Sequence, residues 1–212
     1  MTDAAPPRMT LYWSSRSPFV RKVMVAAHEL GLARRIETVR TLVRATQTNA
    51  ALLPDNPLSK IPTLVLPDGT TLFDSLVICE YLDALSGQPR LFPAPGPRRW
   101  DALTRHALAN GLLDVLILWR SEREMPPGQQ RADLLAAYAE KTRGALDRLE
   151  REVPALAAAP FAIDHLTVGC CLAYLDFRFA ALSWREGRPA LAAWQAGFEA
   201  RPSAVATAFV DA

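Results

Sequence analysis

The stretch Ser14-Ser15-Arg16-Ser17-Pro18-Phe19-Val20-Arg21-Lys22 sits between a short apolar run, Met9 to Trp13, and a periodic segment that closes at Gly31. That order predicts strand, loop and helix. Ser17 suits an N-cap, because a serine oxygen accepts from the unpaired N–H groups of a first helical turn. Pro18 suits the first helical position, where a missing N–H costs nothing. Val20, Val23, Met24, Ala27 and Leu30 then form the inward face of a helix over Pro18 to Leu30, with Arg21, Lys22, His28 and Glu29 turned away. Gly31 is the residue just past its end. A helix N-terminus flanked by three serines thus faces out from the C-terminal end of the first strand. Such a place favours an anion, although the same residues would also serve as a plain helix cap.

Working outward, Ile36 to Thr41 reads as a second strand, parallel to the first by the handedness of strand–helix–strand connections. Leu42 to Leu53 is ambiguous, with a short irregular helix as its best reading. Pro62 opens a third strand, where proline is tolerated in a sheet. Pro67-Asp68-Gly69 turns the chain, and Thr70 to Phe73 returns antiparallel. Asp74-Ser75 precedes a helical pattern over Leu76 to Leu85, with Ser75 as the expected N-cap. Residues 8–86 therefore read as one mixed α/β unit.

Residues 87–97 are dense in proline and glycine and read as a linker. Beyond them, over 98–212, strand signals vanish. Arg99 to Arg120 has Leu103, Ala107, Gly111, Leu112, Val115 and Leu118 at helical spacing. Gln130 to Val153 is a second long helix, with Leu134, Ala137, Tyr138, Leu146 and Leu149 inward. Leu166 to Leu182 is nearly all apolar and reads as a central buried helix. Pro189 to Ala200 and a short segment from Arg201-Pro202-Ser203 complete an all-α domain.

Composition bounds the function. The chain has 212 residues, 50% hydrophobic and 22% charged, with a net charge of +2. That balance describes a globular protein able to bury a core and gives no reason to invoke nucleic acid. Met1 to Arg8 lacks the basic end and apolar run of a signal peptide. No apolar stretch is expected to reach bilayer length. Cys79, Cys170 and Cys171 fall in apolar helical patterns and form no disulfide framework, as expected of buried free thiols in the cytoplasm.

The motifs at the junctions of these elements, namely Ser17-Pro18-Phe19-Val20-Arg21-Lys22-Val23, Asn56-Pro57-Leu58-Ser59-Lys60-Ile61-Pro62-Thr63-Leu64, Asp74-Ser75, and Arg188-Pro189-Ala190-Leu191 with Trp194 and Arg201-Pro202-Ser203, resemble those of the soluble glutathione transferases. The likeness is greatest to bacterial serine-type members, with zeta- and tau-like features, and covers nearly the whole chain. It implies a thioredoxin-like N-terminal domain, an all-α C-terminal bundle, a homodimer, glutathione as substrate or cofactor, no metal, and a cytoplasmic role in detoxification. The reaction it implies is attack of the glutathione thiolate on a small electrophile. The alternatives are a non-catalytic member that binds glutathione or hydrophobic ligands, and a zeta-like isomerase.

Residue by residue, the resemblance implies a cis Ile61-Pro62 bond, with the Ile61 backbone pairing with the cysteinyl part of glutathione. Asp74 and Ser75 would meet the γ-glutamyl end, Lys60 the glycyl carboxylate, and Ser17, ahead of Ser14 and then Ser15, the thiol. Asp74 stands where Glu is more frequent, and Ser59 where Gly is more frequent. Ala162 and His165 stand where the family shows a capping box at the start of the buried helix, leaving Asp164 as the alternative cap and His165 as a structural residue. Tyr12, Trp13, Arg16, Trp119, Arg120 and Arg123 are the expected walls of the second-substrate pocket, the arginines favouring an anionic electrophile.

Overall fold

The computed structural model describes residues 8–88 and 90–211; the expectation for Met1 to Pro7 lies outside them. The chain divides into two compact units. One runs through Phe92 and takes up the chain again from Ser203, and the other is Pro93–Pro202.

In the first unit, strands β1 (Met9–Trp13), β2 (Ile36–Arg40), β3 (Thr63–Val65) and β4 (Thr71–Leu72) form one sheet in the order β2-β1-β3-β4. β2 is parallel to β1, and β3 and β4 are antiparallel to their neighbours. Helices α1 (Pro18–Glu29) and α2 (Ser75–Leu85) complete it. Met9 and Leu11 are fully buried at period two along β1, as a strand with one core face requires. Ser17 caps α1 as expected, accepting from the Val20 N–H at 3.3 Å, and Gly31 takes a positive φ of 71° just past the helix.

Four expectations change here. Arg21 and Lys22 are buried, not solvated. The C-terminal segment covers that side of α1: Arg21 donates to the Ala204 carbonyl and lies 4.8 Å from the Phe209 ring centroid. That packing, with Ser203 donating to Glu29, is why residues 203–211 group with the first unit and not with the helical one. Leu42 to Leu53 forms no regular helix, because Asn49 captures local backbone. Its Oδ1 accepts from the Ala51 N–H and its Nδ2 donates to the Leu42 carbonyl, the competition by which Asn favours turns over helix. Finally, the N-cap of α2 is Asp74, whose Oδ1 accepts from the Leu76 N–H at 3.0 Å, and Ser75 is the first helical residue.

The second unit holds α3 (Pro97–Arg123), α4 (Ala132–Ala158), α5 (Ile163–Phe179) and α6 (Pro189–Glu199); the short α7 (Pro202–Ala206) leads back into the first unit. The inward stripe of α3 is Ala102, His106, Ala109, Leu113 and Leu116, so Ala107, Gly111 and Leu118 of the expected face are exposed. α4 continues past Val153 through Pro154. Its flanking residues Val153 and Leu156 are both buried, and that packing carries the helix beyond the one missing hydrogen bond. α5 begins three residues before its expected start. Asp164 does not cap it; the carboxylate lies fully buried between Arg98 and Arg105, at 3.0 and 3.1 Å. His165 takes a structural position: its Nδ1 lies 3.0 Å from Asp164 Oδ1 and 3.2 Å from the Ala162 nitrogen, and its Nε2 donates to the Leu156 carbonyl at 2.8 Å.

Contrary to expectation, Ile163–Leu182 does have the length and mean hydropathy of a bilayer span. Its 67% burial inside the protein accounts for that apolarity, since a helix hydrophobic all round also suits a protein core.

Candidate active site

Sheet register assembles the site. β1 and β3 pair Tyr12 with Thr63, so the next step along the ladder sets Trp13 level with Pro62. β3 and β4 pair Leu64 with Leu72 at the last residue of β4, and only Phe73 lies between that strand end and Asp74, the N-cap of α2. One end of the sheet therefore carries the serine loop and the start of α1, the Ile61-Pro62 bond, and the start of α2. The Ile61-Pro62 bond is cis, as the resemblance implied. Two helix N-termini, each with first-turn N–H groups that the helix itself cannot satisfy, lie on this end.

The serines differ in what they already hold. The Ser14 carbonyl accepts from the Ser17 N–H at 3.2 Å, closing a turn over Ser15 and Arg16. Ser17 Oγ and Ser14 Oγ each accept from a backbone N–H, of Val20 and Arg16 respectively, both at 3.3 Å. An accepting hydroxyl retains its own proton to donate. Ser15 has used its proton, donating to the Val210 carbonyl at 2.8 Å. Ser75 is buried, and its Oγ finds no hydrogen-bond partner among the described residues. Native proteins leave few such groups unpaired.

The loop before Pro62 holds residues that sequence reasoning missed. Asn56 is buried, and its Nδ2 donates to the Lys60 carbonyl at 3.2 Å and to Thr63 Oγ1 at 2.9 Å, while its Oδ1 accepts from the Leu58 N–H. Thr63 Oγ1 donates to the same Lys60 carbonyl at 2.9 Å. Ser59 does adopt the positive φ that Gly would favour, at 50°, and its Oγ accepts from the Asn49 N–H. The Asn-Pro and Pro-Thr pairs were visible in the sequence; their mutual contact was not. The Lys60 side chain is exposed.

Of the expected second-substrate residues in the first unit, Tyr12 and Arg16 are already engaged. Tyr12 donates to Asp55 Oδ2 at 2.6 Å, and that hydrogen bond raises the phenol pKa. Arg16 pairs with Asp211 at 2.9 Å. Trp13 and Ser14 border a groove of about 450 Å³ shared with Arg21, Thr38, Arg40 and Thr207. In the helical unit, Trp119 is buried against Phe179, Arg120 pairs with Glu124 one turn on, and Arg123 lies over the Phe179 ring. Among the described residues no group of three His, Cys, Asp or Glu side chains is placed to hold a metal ion.

The family models described as glutathione S-transferase, N-terminal domain and C-terminal domain, match residues 16–85 and 132–195. The uncharacterized GST-like protein YibF of Escherichia coli K12 is 31% identical over 185 residues, which are 86% of this chain and 90% of that one. The chain belongs to the glutathione S-transferase family. A glutathione transferase family member from Pseudomonas fluorescens Pf-5, solved with bound glutathione, is 42% identical with a TM-score of 0.91, over 94% of this chain and 98% of that one. A second structure from that organism holds S-(propanoic acid)-glutathione and matches at 39% identity and a TM-score of 0.87, with the same coverage. The sheet and helices of this family member are thus those of the thioredoxin-like domain and helical domain that the resemblance implied.

Proposed function

We propose that this protein binds glutathione at the Pro62 end of its sheet and activates the thiol for attack on a small electrophile. One observation carries the reading: the register places the start of α1, Ile61-Pro62 and the start of α2 together, with Ser75 Oγ unpartnered beside them. Glutathione offers a complementary set of groups. Its γ-glutamyl carboxylate suits Ser75 and the first turn of α2, with Asp74 beside its ammonium. Its cysteinyl backbone suits the Ile61 N–H and C=O, its glycyl carboxylate the exposed Lys60, and its sulfur the start of α1.

Ser17 is the thiol donor in this reading. A serine hydroxyl does not take the thiol proton. It stabilises the thiolate by donating to it, while the α1 N-terminus adds its dipole. Each unit of thiol pKa depression needs ~1.36 kcal/mol. A charge-assisted hydrogen bond supplies ~1.5–3 kcal/mol, so one donor and the dipole together can lower the pKa by about one to two units. Ser14 keeps a free proton and is the alternative donor; the committed proton of Ser15 removes it from the choice. The electrophile is read as small and able to carry a carboxylate, because the Pseudomonas fluorescens protein was solved with a propanoic acid thioether of glutathione. Three buried free cysteines support a reducing compartment such as the cytoplasm, and the family habit of homodimers is carried over as part of the proposal.

The test is a glutathione titration of the protein at neutral pH, following the ultraviolet absorbance of thiolate. Growth of that absorbance with saturation supports an activating enzyme. Saturable binding without it leaves a glutathione-binding protein that does no thiol chemistry.

A further inference from the structure

We infer that Asn56 and Thr63 are positioning residues for glutathione: they fix the peptide plane that aims the Ile61 N–H at the ligand. The inference rests on the glutathione reading above. Both side chains are buried, with Asn56 at 1% and Thr63 at 0% exposure. Both donate to one acceptor, the Lys60 carbonyl, and Asn56 also donates to Thr63. The Asn56 acceptor is taken by the Leu58 N–H, so its amide cannot turn over without losing three bonds. The Lys60–Ile61 peptide is trans, and in a trans peptide the C=O and N–H point in opposite directions across one plane. Holding the Lys60 carbonyl toward the buried Asn56–Thr63 pair therefore turns the Ile61 N–H the other way. Among the described residues nothing accepts that N–H. A backbone donor with no protein partner is left for a ligand or water, and this one lies beside Pro62, on the sheet end proposed to take glutathione.

The hydrogen bonds of the pair go to Lys60, Leu58 and each other, and none goes to Ser14 or Ser17. Loss of the pair should therefore weaken ground-state binding and leave thiol chemistry alone. Thr63→Val keeps the shape and removes the hydroxyl, and Thr63→Ser keeps the hydroxyl. The expected result is that Thr63→Val raises the Kd and KM for glutathione about tenfold, a loss of about 1.4 kcal/mol. The kcat and the thiol pKa of bound glutathione should stay at the wild-type values. Thr63→Ser should stay within about twofold of wild type, on the same affinity scale. A merely structural threonine would lower the folded fraction and scale kcat down without moving KM. Thr63→Val with wild-type Kd overturns the inference while the glutathione reading stands; a wild-type protein that binds no glutathione overturns both. A measurement that needs no variant is the amide resonance of Ile61 in the wild-type protein. Glutathione should shift it and slow its exchange with solvent, and an unmoved resonance in a saturated complex overturns the inference.

Discussion

Ser17 accepts through its oxygen from Val20 and keeps a proton to give, so cap and catalyst can be separated by substitution. Ser17→Ala removes both and should cost about 1 kcal/mol of stability as a lost N-cap, along with the thiolate signal. Ser17→Asp keeps a good cap acceptor and lacks the donor, so melting should stay near wild type while thiolate is lost. If Ser17→Asp still forms thiolate and Ser14→Ala does not, Ser14 is the donor. Asp164 offers a pH prediction of a different kind. Burial alone would raise its pKa; hydrogen bonds with His165 and Arg98 outweigh burial and hold it below the usual carboxylate range. A carboxylate depressed by folding adds stability that is complete above its unfolded pKa of ~3.9 and is lost as pH falls below it. Asp164→Asn should cost roughly 3 kcal/mol at neutral pH, the low end for breaking a buried ion pair, since Arg105 retains Glu152 and Arg98 retains the Pro160 carbonyl. The variant's melting temperature should also fall less between pH 5 and pH 3 than that of the wild type; an equal fall would show that this cluster is not the acid-sensitive one.

At the scale of elements, α5 is held by a close approach at Gly169. A Cβ there would meet the Phe198 ring of α6 at 2.4 Å, so the two helices depend on a residue with no side chain. Gly169→Ala should destabilise the protein by about 1–3 kcal/mol despite alanine's higher helix propensity, read as a lower denaturant midpoint. An unchanged or higher midpoint would mean that Phe198 moves aside freely. The elements were legible in the sequence where one signal dominated: the short apolar run Met9 to Trp13, the Ser17-Pro18 start, and the apolar run of α5. They were not legible where side chains competed with backbone or where distant chain intervened. Asn49 dissolved a helix that periodicity left open. Arg21 read as solvated because a local window holds no trace of Phe209. The face of α3 was misjudged because Leu103 and Leu118 are as apolar as the residues that are buried, and only packing within the helical unit selects between the stripes. The candidate site was legible in its individual pieces, while the roles of Asn56 and Thr63 depend on a contact that no spacing rule encodes.

At the scale of the molecule, the first unit is interrupted: it breaks off at Phe92 and resumes at Ser203. The returning segment is fastened at several points, by Ser203 to Glu29, by the Ala204 carbonyl to Arg21, by Val210 to Ser15 and by Asp211 to Arg16. Removing residues 208–212 should lower the melting temperature and increase protease cutting in the serine loop, because Ser15 and Arg16 lose their partners; an intact, uncut loop would show that the turn closed by Ser14 and Ser17 is sufficient. The same interruption sets a timetable for biosynthesis. Strand β1 and helix α1 leave the ribosome early, yet the chain that covers Arg21 follows only after all of Pro93–Pro202 has been made, on the order of ten seconds at ~5–20 residues per second. For that interval the nascent unit has its four strands but lacks the cover on α1, and a chaperone that binds the uncovered flank of α1 would have to release it when residues 203–211 arrive.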